Sequence, residues 1–245
     1  MLGTSTARGR WTALEKLEHI NVLELKAAYF SLQSLCPGIQ NKHIQLKLDN
    51  TTAVTYINNM GGSKSMNCNR ISSLIWAWAV THKLWLSACH LPGSSNREAD
   101  AQSRMIDVQN EWKLSPTIFN KLCKRWGKPE IDLFASRITH QLDLYVSWRP
   151  DPGAHQIDAF SFVWHSYFYA FPPFSLIDRC LQKIQQDKAH GILVAPRWAT
   201  RPWWAMLMQL AQETIEIKHA ARLLINPCTG AQHPLKHLTL VACRI

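Results

Sequence analysis

The sequence has no acidic residue before Glu15 and no apolar run long enough to span a bilayer. Its longest apolar stretches, such as "SSLIWAWAV" from Ser72 to Val80, stay well below the ~20 residues that a membrane helix needs. The opening "MLGTSTARGRW" lacks the apolar core of a secretory signal, so nothing in it points to export. Cysteine pairs at metal or redox spacing are missing too. The seven cysteines, at positions 36, 68, 89, 123, 180, 228 and 243, include no C-x-x-C. An odd, scattered set implies reduced and mostly buried thiols, and so an intracellular protein, nuclear or cytoplasmic, that is not secreted. Charged residues make up only 18% against a hydrophobic share of 47%, a balance that excludes a disordered chain.

What is present is an excess of positive charge. The 245 residues suffice for one large domain or two modest ones, and they carry a net +10. Up to Trp112 there are 11 basic against 8 acidic residues, and from Lys113 onward 16 against 9. Such an excess suits a polyanionic partner, because neutralising phosphates releases counterions. Charge alone fits a basic surface without a partner equally well.

Hydrophobic spacing predicts alternating elements. "GRWTAL" (Gly9 to Leu14) reads as the end of a strand. "NVLELKAAYFSLQSL" reads as a helix capped by Asn21, with Leu25, Ala28, Leu32 and Leu35 on one stripe and Pro37-Gly38 as its stop. "KHIQLKLDN" alternates Ile44, Leu46 and Leu48 with polar residues, as a half-buried strand does. "NTTAVTYINN" and "MNCNRISSLIWAWAVTHK" read as helices, "LWLSACHL" as a strand, and "NREADAQSRM" as the opening of another helix. This alternation implies an α/β unit with helices packed on a sheet.

Three carboxylates then fall at element ends. Asp49 closes a strand, where α/β sheets place their chemistry. Glu24 falls in the first turn of the helix before that strand, and Asp100 in the first turn of the helix after the next one. Facing one end of a sheet, they would hold hard divalent cations through oxygen. Each alone also has a structural explanation: Glu24 and Asp100 as charges favourable to helix N-termini, Asp49 with Asn50 as a cap.

Together, "LELKA", "LDNTTAVTYIN" and "HLPGSSNREADAQSR" resemble the ribonuclease H domain of reverse-transcribing elements, most closely the DIRS group of retrotransposons, over roughly Gly9 to Trp112. The resemblance implies a ribonuclease H-like mixed sheet with flanking helices in residues 1–112. It also implies two Mg²⁺ ions held by four acids, which cleave RNA in RNA/DNA hybrids. Glu24, Asp49 and Asp100 match the second, third and fourth acids and would be both metal ligands and catalytic residues. His90 matches the histidine that opens the "HLPG" loop, with a weaker catalytic role. Asn50, Thr51, Arg97 and Arg104 are the expected nucleic-acid contacts. The family's first acid lies on a strand ahead of "GRW", where this sequence has none. The expectation is a sheet lacking its opening strand, an impaired site, and a piece of a longer polyprotein with reverse transcriptase upstream and tyrosine recombinase downstream.

From Lys113 a second α/β pattern begins, with a helix at "LSPTIFNKLCKRWGKP", a strand at "EIDLFASR", aromatic-rich strands from Asp158, a helix from Ser175, a strand at "HGILVAPRW" and a helix at "RPWWAMLMQLA". "IDLFAS", "FPPFSLIDRCLQK" and "GILVAPRW" resemble the adenine methyltransferase-like domain that follows ribonuclease H in DIRS elements, which implies a smaller Rossmann-like domain over residues 113–225. Active members hold the target amine with a polar residue before Pro-Pro. Here the turn is Phe171-Pro172-Pro173-Phe174, so that acceptor is lost, and no glycine-rich cofactor loop accompanies "IDLFASR". Methyl transfer is not expected. Phe174 is left either to stack on a flipped base or to pack as an ordinary aromatic.

Of the eleven tryptophans, Trp76, Trp78, Trp203 and Trp204 fall on expected helices and read as core. Residues 226–245 read as a tail or linker, in which Cys228, His233 and His237 match no familiar zinc spacing. The alternative to a nuclease is a non-catalytic nucleic-acid-binding or scaffold module, without metal dependence.

Overall fold

A computed structural model describes residues 5–92 and 111–245, in two compact units that are taken in turn. Both are mixed α/β.

The N-terminal unit comprises helix α1 (Ile20–Leu35), strand β1 (His43–Leu48), helices α2 (Thr51–Asn58) and α3 (Met66–Thr81), and strand β2 (Trp85–His90). β1 and β2 pair in parallel, from His43 opposite Trp85 to Leu48 opposite His90. A parallel pair needs a long crossover, and α2 and α3 supply it. On α1, Val22, Leu25, Ala28 and Leu32 are buried in one stripe, and they meet Ile57, Ile71, Ile75 and Leu86 in a single core. Ile44, Leu46 and Leu48 pack against that core from β1, while His43, Gln45 and Lys47 between them are exposed. The alternation read from the sequence is the one the strand uses.

Two local expectations are corrected. "GRWTAL" is not a strand; residues Glu15–Leu17 form a 3₁₀ turn instead. The cause is a capping box at Thr12 and Glu15: the Thr12 N–H donates to Glu15 Oε2 at 2.9 Å, and the Glu15 N–H donates to Thr12 Oγ1 at 3.1 Å. The cap of α1 is His19, whose Nδ1 accepts the Asn21 N–H at 3.1 Å. Asn21 already lies inside the helix.

The C-terminal unit runs β3 (Lys113–Leu114), α4 (Pro116–Trp126), β4 (Ile131–Asp132), β5 (Val146–Ser147), β6 (Gln156–Ile157), β7 (Phe168–Ala170), α5 (Ile177–Asp187), β8 (Gly191–Pro196), α6 (Trp203–Leu210), β9 (Glu213–Ile217), β10 (Leu224–Ile225) and β11 (Leu240–Arg244). Five of these form one sheet in the order β4-β7-β8-β11-β9. β4, β7 and β8 are parallel, and β11 is antiparallel to both of its neighbours. Period-2 alternation splits the buried residues between two faces. Leu193, Ala195, Val241 and Cys243 pack with α5 and α6, whereas Ile192, Val194, Leu240 and Ala242 pack with Phe119, Leu122 and Trp126 of α4.

The aromatic stretch from Asp158 gives one three-residue strand rather than several. Asp158 accepts the Phe160 N–H at 3.0 Å and starts a 3₁₀ turn, and the Trp164 indole N–H donates to the Ala159 carbonyl at 2.7 Å. These bonds hold the segment away from a strand ladder. The expected tail contributes β11, buried between β8 and β9. A linker would not hold four consecutive buried residues, Leu240 to Cys243. Among the described residues no helix is long and apolar enough to cross a membrane. All seven cysteines are free thiols, five of them buried.

Candidate functional site

The carboxyl end of β1 is where chain geometry gathers acidic groups. Asn50 caps α2, its Oδ1 accepting the Ala53 N–H at 2.9 Å. The same amide donates through Nδ2 to Asn21 Oδ1 at 2.9 Å, which ties the start of α2 to the first turn of α1. Glu24 stands three residues beyond Asn21, on the same face of the helix. The bridge therefore brings Glu24 towards Asp49, the residue between β1 and Asn50.

The electrostatics record that approach. The Glu24 carboxyl is held above its ordinary value, chiefly by burial and then by the negative charge of Asp49. Among the described residues no cation pairs with it: the Lys26 ammonium pairs with Glu18 at 2.7 Å and Glu15 at 3.8 Å. Among the described residues Glu24 makes no ion pair or side-chain hydrogen bond. Helix-terminus stabilisation does not account for Glu24 either, because the first turn of α1 contains no acid and the favourable field fades beyond that turn. A half-buried carboxylate facing a like charge without a counter-charge is the kind of donor set that a hard divalent cation relieves.

The other expected positions are placed as follows. His90 is the last residue of β2, exposed, and opposite Leu48, so it lies at the same end of the sheet as Asp49. Thr51 is exposed at the first position of α2. Asn50 has both ends of its amide engaged by Asn21 and Ala53. Asp100, Arg97 and Arg104 lie outside the described residues. Among the described residues no group of three or more potential metal ligands occurs. The donor set on view is thus the pair Glu24 and Asp49.

In the C-terminal unit the Phe171-Pro172-Pro173-Phe174 turn directly follows β7, at the end of the sheet where α/β folds bind ligands. Its rings are engaged with neighbours. Phe174 meets Trp198 edge-on at 5.3 Å and Phe171 at 6.2 Å, and His233 lies tilted at 6.3 Å. Pro172 is buried and the other three are half-buried. This is a packed aromatic cluster.

Sequence reasoning misses three participants. Asn21 is not the cap but the tether between α1 and α2. Thr12 and Glu15 carry a legible T-x-x-E signal that the strand reading of "GRWTAL" overlooked. Comparison with protein-family models finds no match for the chain, and comparison with curated proteins likewise finds none.

Proposed function

We propose that the N-terminal unit is a ribonuclease H-type module from a DIRS-group retrotransposon polyprotein, a metal-dependent hydrolase acting on the RNA strand of RNA/DNA hybrids. The observation that carries this reading is the convergence of Glu24 and Asp49 at the end of β1, half-buried in the case of Glu24 and without a neutralising cation among the described residues. The parallel pairing of β1 with β2 supports it, since it sets Asp49 and His90 at one end of a sheet. Glu24 and Asp49 would hold Mg²⁺, with Asp100 as the third ligand implied by the family resemblance. Bound magnesium supplies activation of water and stabilisation of the leaving oxygen. The Asn50–Asn21 hydrogen bond supports the reading, because it ties the start of α2, next to Asp49, to the start of α1, next to Glu24.

The C-terminal unit enters the proposal as a methyltransferase-like, Rossmann-like domain without methyl transfer. The parallel set β4, β7 and β8 and a Pro-Pro turn directly after β7 support the likeness, and Phe171 removes the polar acceptor. The net charge of +10 favours a second reading, a nucleic-acid-binding module without chemistry.

One experiment separates the readings. A fluorescently labelled RNA/DNA hybrid is incubated with the chain in Mg²⁺ or in EDTA, and both cleavage and binding are followed. Mg²⁺-dependent cleavage that disappears in Asp49→Asn supports the hydrolase. Salt-sensitive hybrid binding in EDTA, with no cleavage in Mg²⁺, supports the binding module instead. Cleavage unchanged by EDTA or by Asp49→Asn removes the site assignment.

A further inference from the structure

Among the described residues β9 is the last strand in its sheet, and one of its edges is paired, with β11. Along the other side runs a groove of about 420 Å³ between α4 and β9. From β9 and the residue after it, positions 215–218 all line this groove. Successive strand residues point to opposite faces, so a cavity touched by four in a row opens on the strand's backbone edge. From α4 the lining residues are Ile118, Lys121, Leu122 and Arg125, spaced i, i+3, i+4 and i+7, a single helical stripe.

The stripe divides the groove chemically. At one end Glu213 accepts from Arg125 Nε at 2.7 Å and from the Trp126 indole N–H at 2.8 Å, which fixes α4 against β9 and occupies Arg125. Farther along, Lys121 and Lys218 are exposed and make no ion pair among the described residues. Between them the wall is aliphatic, from Ile118, Ile215 and Leu223. Glu216 is the single acid that lines the groove.

We propose that this groove receives an extended acidic peptide, which adds to β9 as a sixth strand. The backbone edge offers alternating N–H donors and C=O acceptors, which another peptide backbone matches. A phosphodiester chain offers acceptors alone and has nothing to give the carbonyls. The aliphatic wall takes one set of alternate side chains, Lys218 on the strand face away from Ile217 takes a carboxylate of the other set, and Lys121 on the α4 stripe adds positive charge at the rim of the groove. The favoured ligand alternates Asp or Glu with Val or Ile over the five-residue length of β9. An open edge beside an apolar wall is also a liability for aggregation unless something covers it.

The test uses the full chain and a labelled peptide of alternating Asp and Val, read by fluorescence anisotropy and by backbone amide exchange. Controls are a peptide with Lys in place of Asp, one with Pro in place of Val, and oligodeoxythymidylate. Expected is saturable binding of the acidic peptide, at least about tenfold weaker for both control peptides and for the Lys121→Glu/Lys218→Glu double variant. Slowed exchange of amides within 213–217 on binding is expected as well. Absence of saturable binding, equal binding of the proline peptide, or displacement of the peptide by the oligonucleotide would each overturn the proposal. A double variant that keeps the wild-type circular dichroism spectrum and also full peptide affinity would do so too.

Discussion

Asn58 holds the outer edge of β2 with one side chain: its Nδ2 donates to the Ala88 carbonyl at 2.9 Å, and its Oδ1 accepts the Ala88 N–H at 2.8 Å. Trp85 and Leu91 direct their N–H groups to Lys42 and Leu48, on the β1 side. Ala88, out of phase with them, directs its backbone away from β1. The last residue of α2 thus mimics a neighbouring strand for one position. It covers an edge that would otherwise invite pairing.

Replacing Asn58 with Leu keeps the volume and deletes both bonds, leaving a buried N–H and C=O without partners. The expected loss is roughly 2–4 kcal/mol, from the cost of each unsatisfied group. Urea unfolding followed by circular dichroism measures it, and the exchange rate of the Ala88 amide should rise in parallel. An unchanged midpoint together with an unchanged Ala88 amide would show that the clasp is dispensable.

Much of this architecture was legible in the sequence because it depends on local periodicity. The alternation of Ile44, Leu46 and Leu48 and the stripe through Leu25, Ala28 and Leu32 are packing patterns, and the chain folds on them. What was not legible is what a polar side chain does after its local options are filled. Asn21 looks like a cap, but His19 takes that place and frees the amide for Asn50, 29 residues away. β11 was hidden for another reason. Its partners β8 and β9 are distant in sequence, and "HLTLVACRI" follows a stretch rich in turn residues that reads as a tail. The carboxylate pair lay between these cases, with positions predicted from strand and helix ends and proximity supplied by the Asn21–Asn50 bridge.

Gly191 opens β8 opposite its register partner Phe168 on the parallel strand β7. A Cβ built there would collide with the carbonyl oxygen and the ring of Phe168, on β7. The carbonyl belongs to a buried strand and the ring to the core, so neither has room to yield. Gly191→Ala is therefore expected to destabilise the C-terminal unit by about 2–3 kcal/mol, within the range for overpacking. Thermal unfolding should shift down by several degrees. Gly38→Ala, with no atom within 4 Å of the added carbon, is the control and should change little.

Asp132 is buried on β4 beside its register partner Tyr169, and neither Asp132 Oδ1 nor Tyr169 Oη has a hydrogen-bond partner among the described residues. Burial pushes the Asp132 carboxyl up to about 7, against the opposing pull of the Gln141 and Phe134 N–H groups and of Lys113. The folded value lies above the unfolded one, near 3.8, so the folded state binds the extra proton between them. Stability from this group is then complete below about pH 4, falls as pH rises towards 7, and stays low above that. Asp132→Asn keeps an acceptor for Gln141 and removes the charge. It should leave stability almost unchanged near pH 4 and raise it by a few kcal/mol at most at pH 8. Urea midpoints across that range decide it; equal destabilisation at both pH values would refute the protonation account.

The same sign governs Glu24, with a consequence for metal binding. Its carboxyl is raised by burial and by Asp49, so without metal the wild type should lose stability as pH rises above the ordinary Glu value of 4.5. Glu24→Gln removes the half-buried charge and its repulsion with Asp49. At pH 7 in EDTA the variant should match or exceed the wild type in thermal midpoint, by a degree or two. Added Mg²⁺ should reverse the order. A cation bound only by the folded state stabilises it by about 1.4 kcal/mol when its free concentration is ten times Kd, and the wild type should gain that increment. Glu24→Gln and Asp49→Asn should each lose most of the gain, and the double variant should lose little more, since the two carboxylates serve one ion. Calorimetric titration with Mg²⁺ gives the same answer without heating. If Mg²⁺ raises the midpoint of all four proteins equally, or if Glu24→Gln is markedly less stable than wild type in EDTA, the pair is a structural feature of the α1–α2 junction and holds no metal.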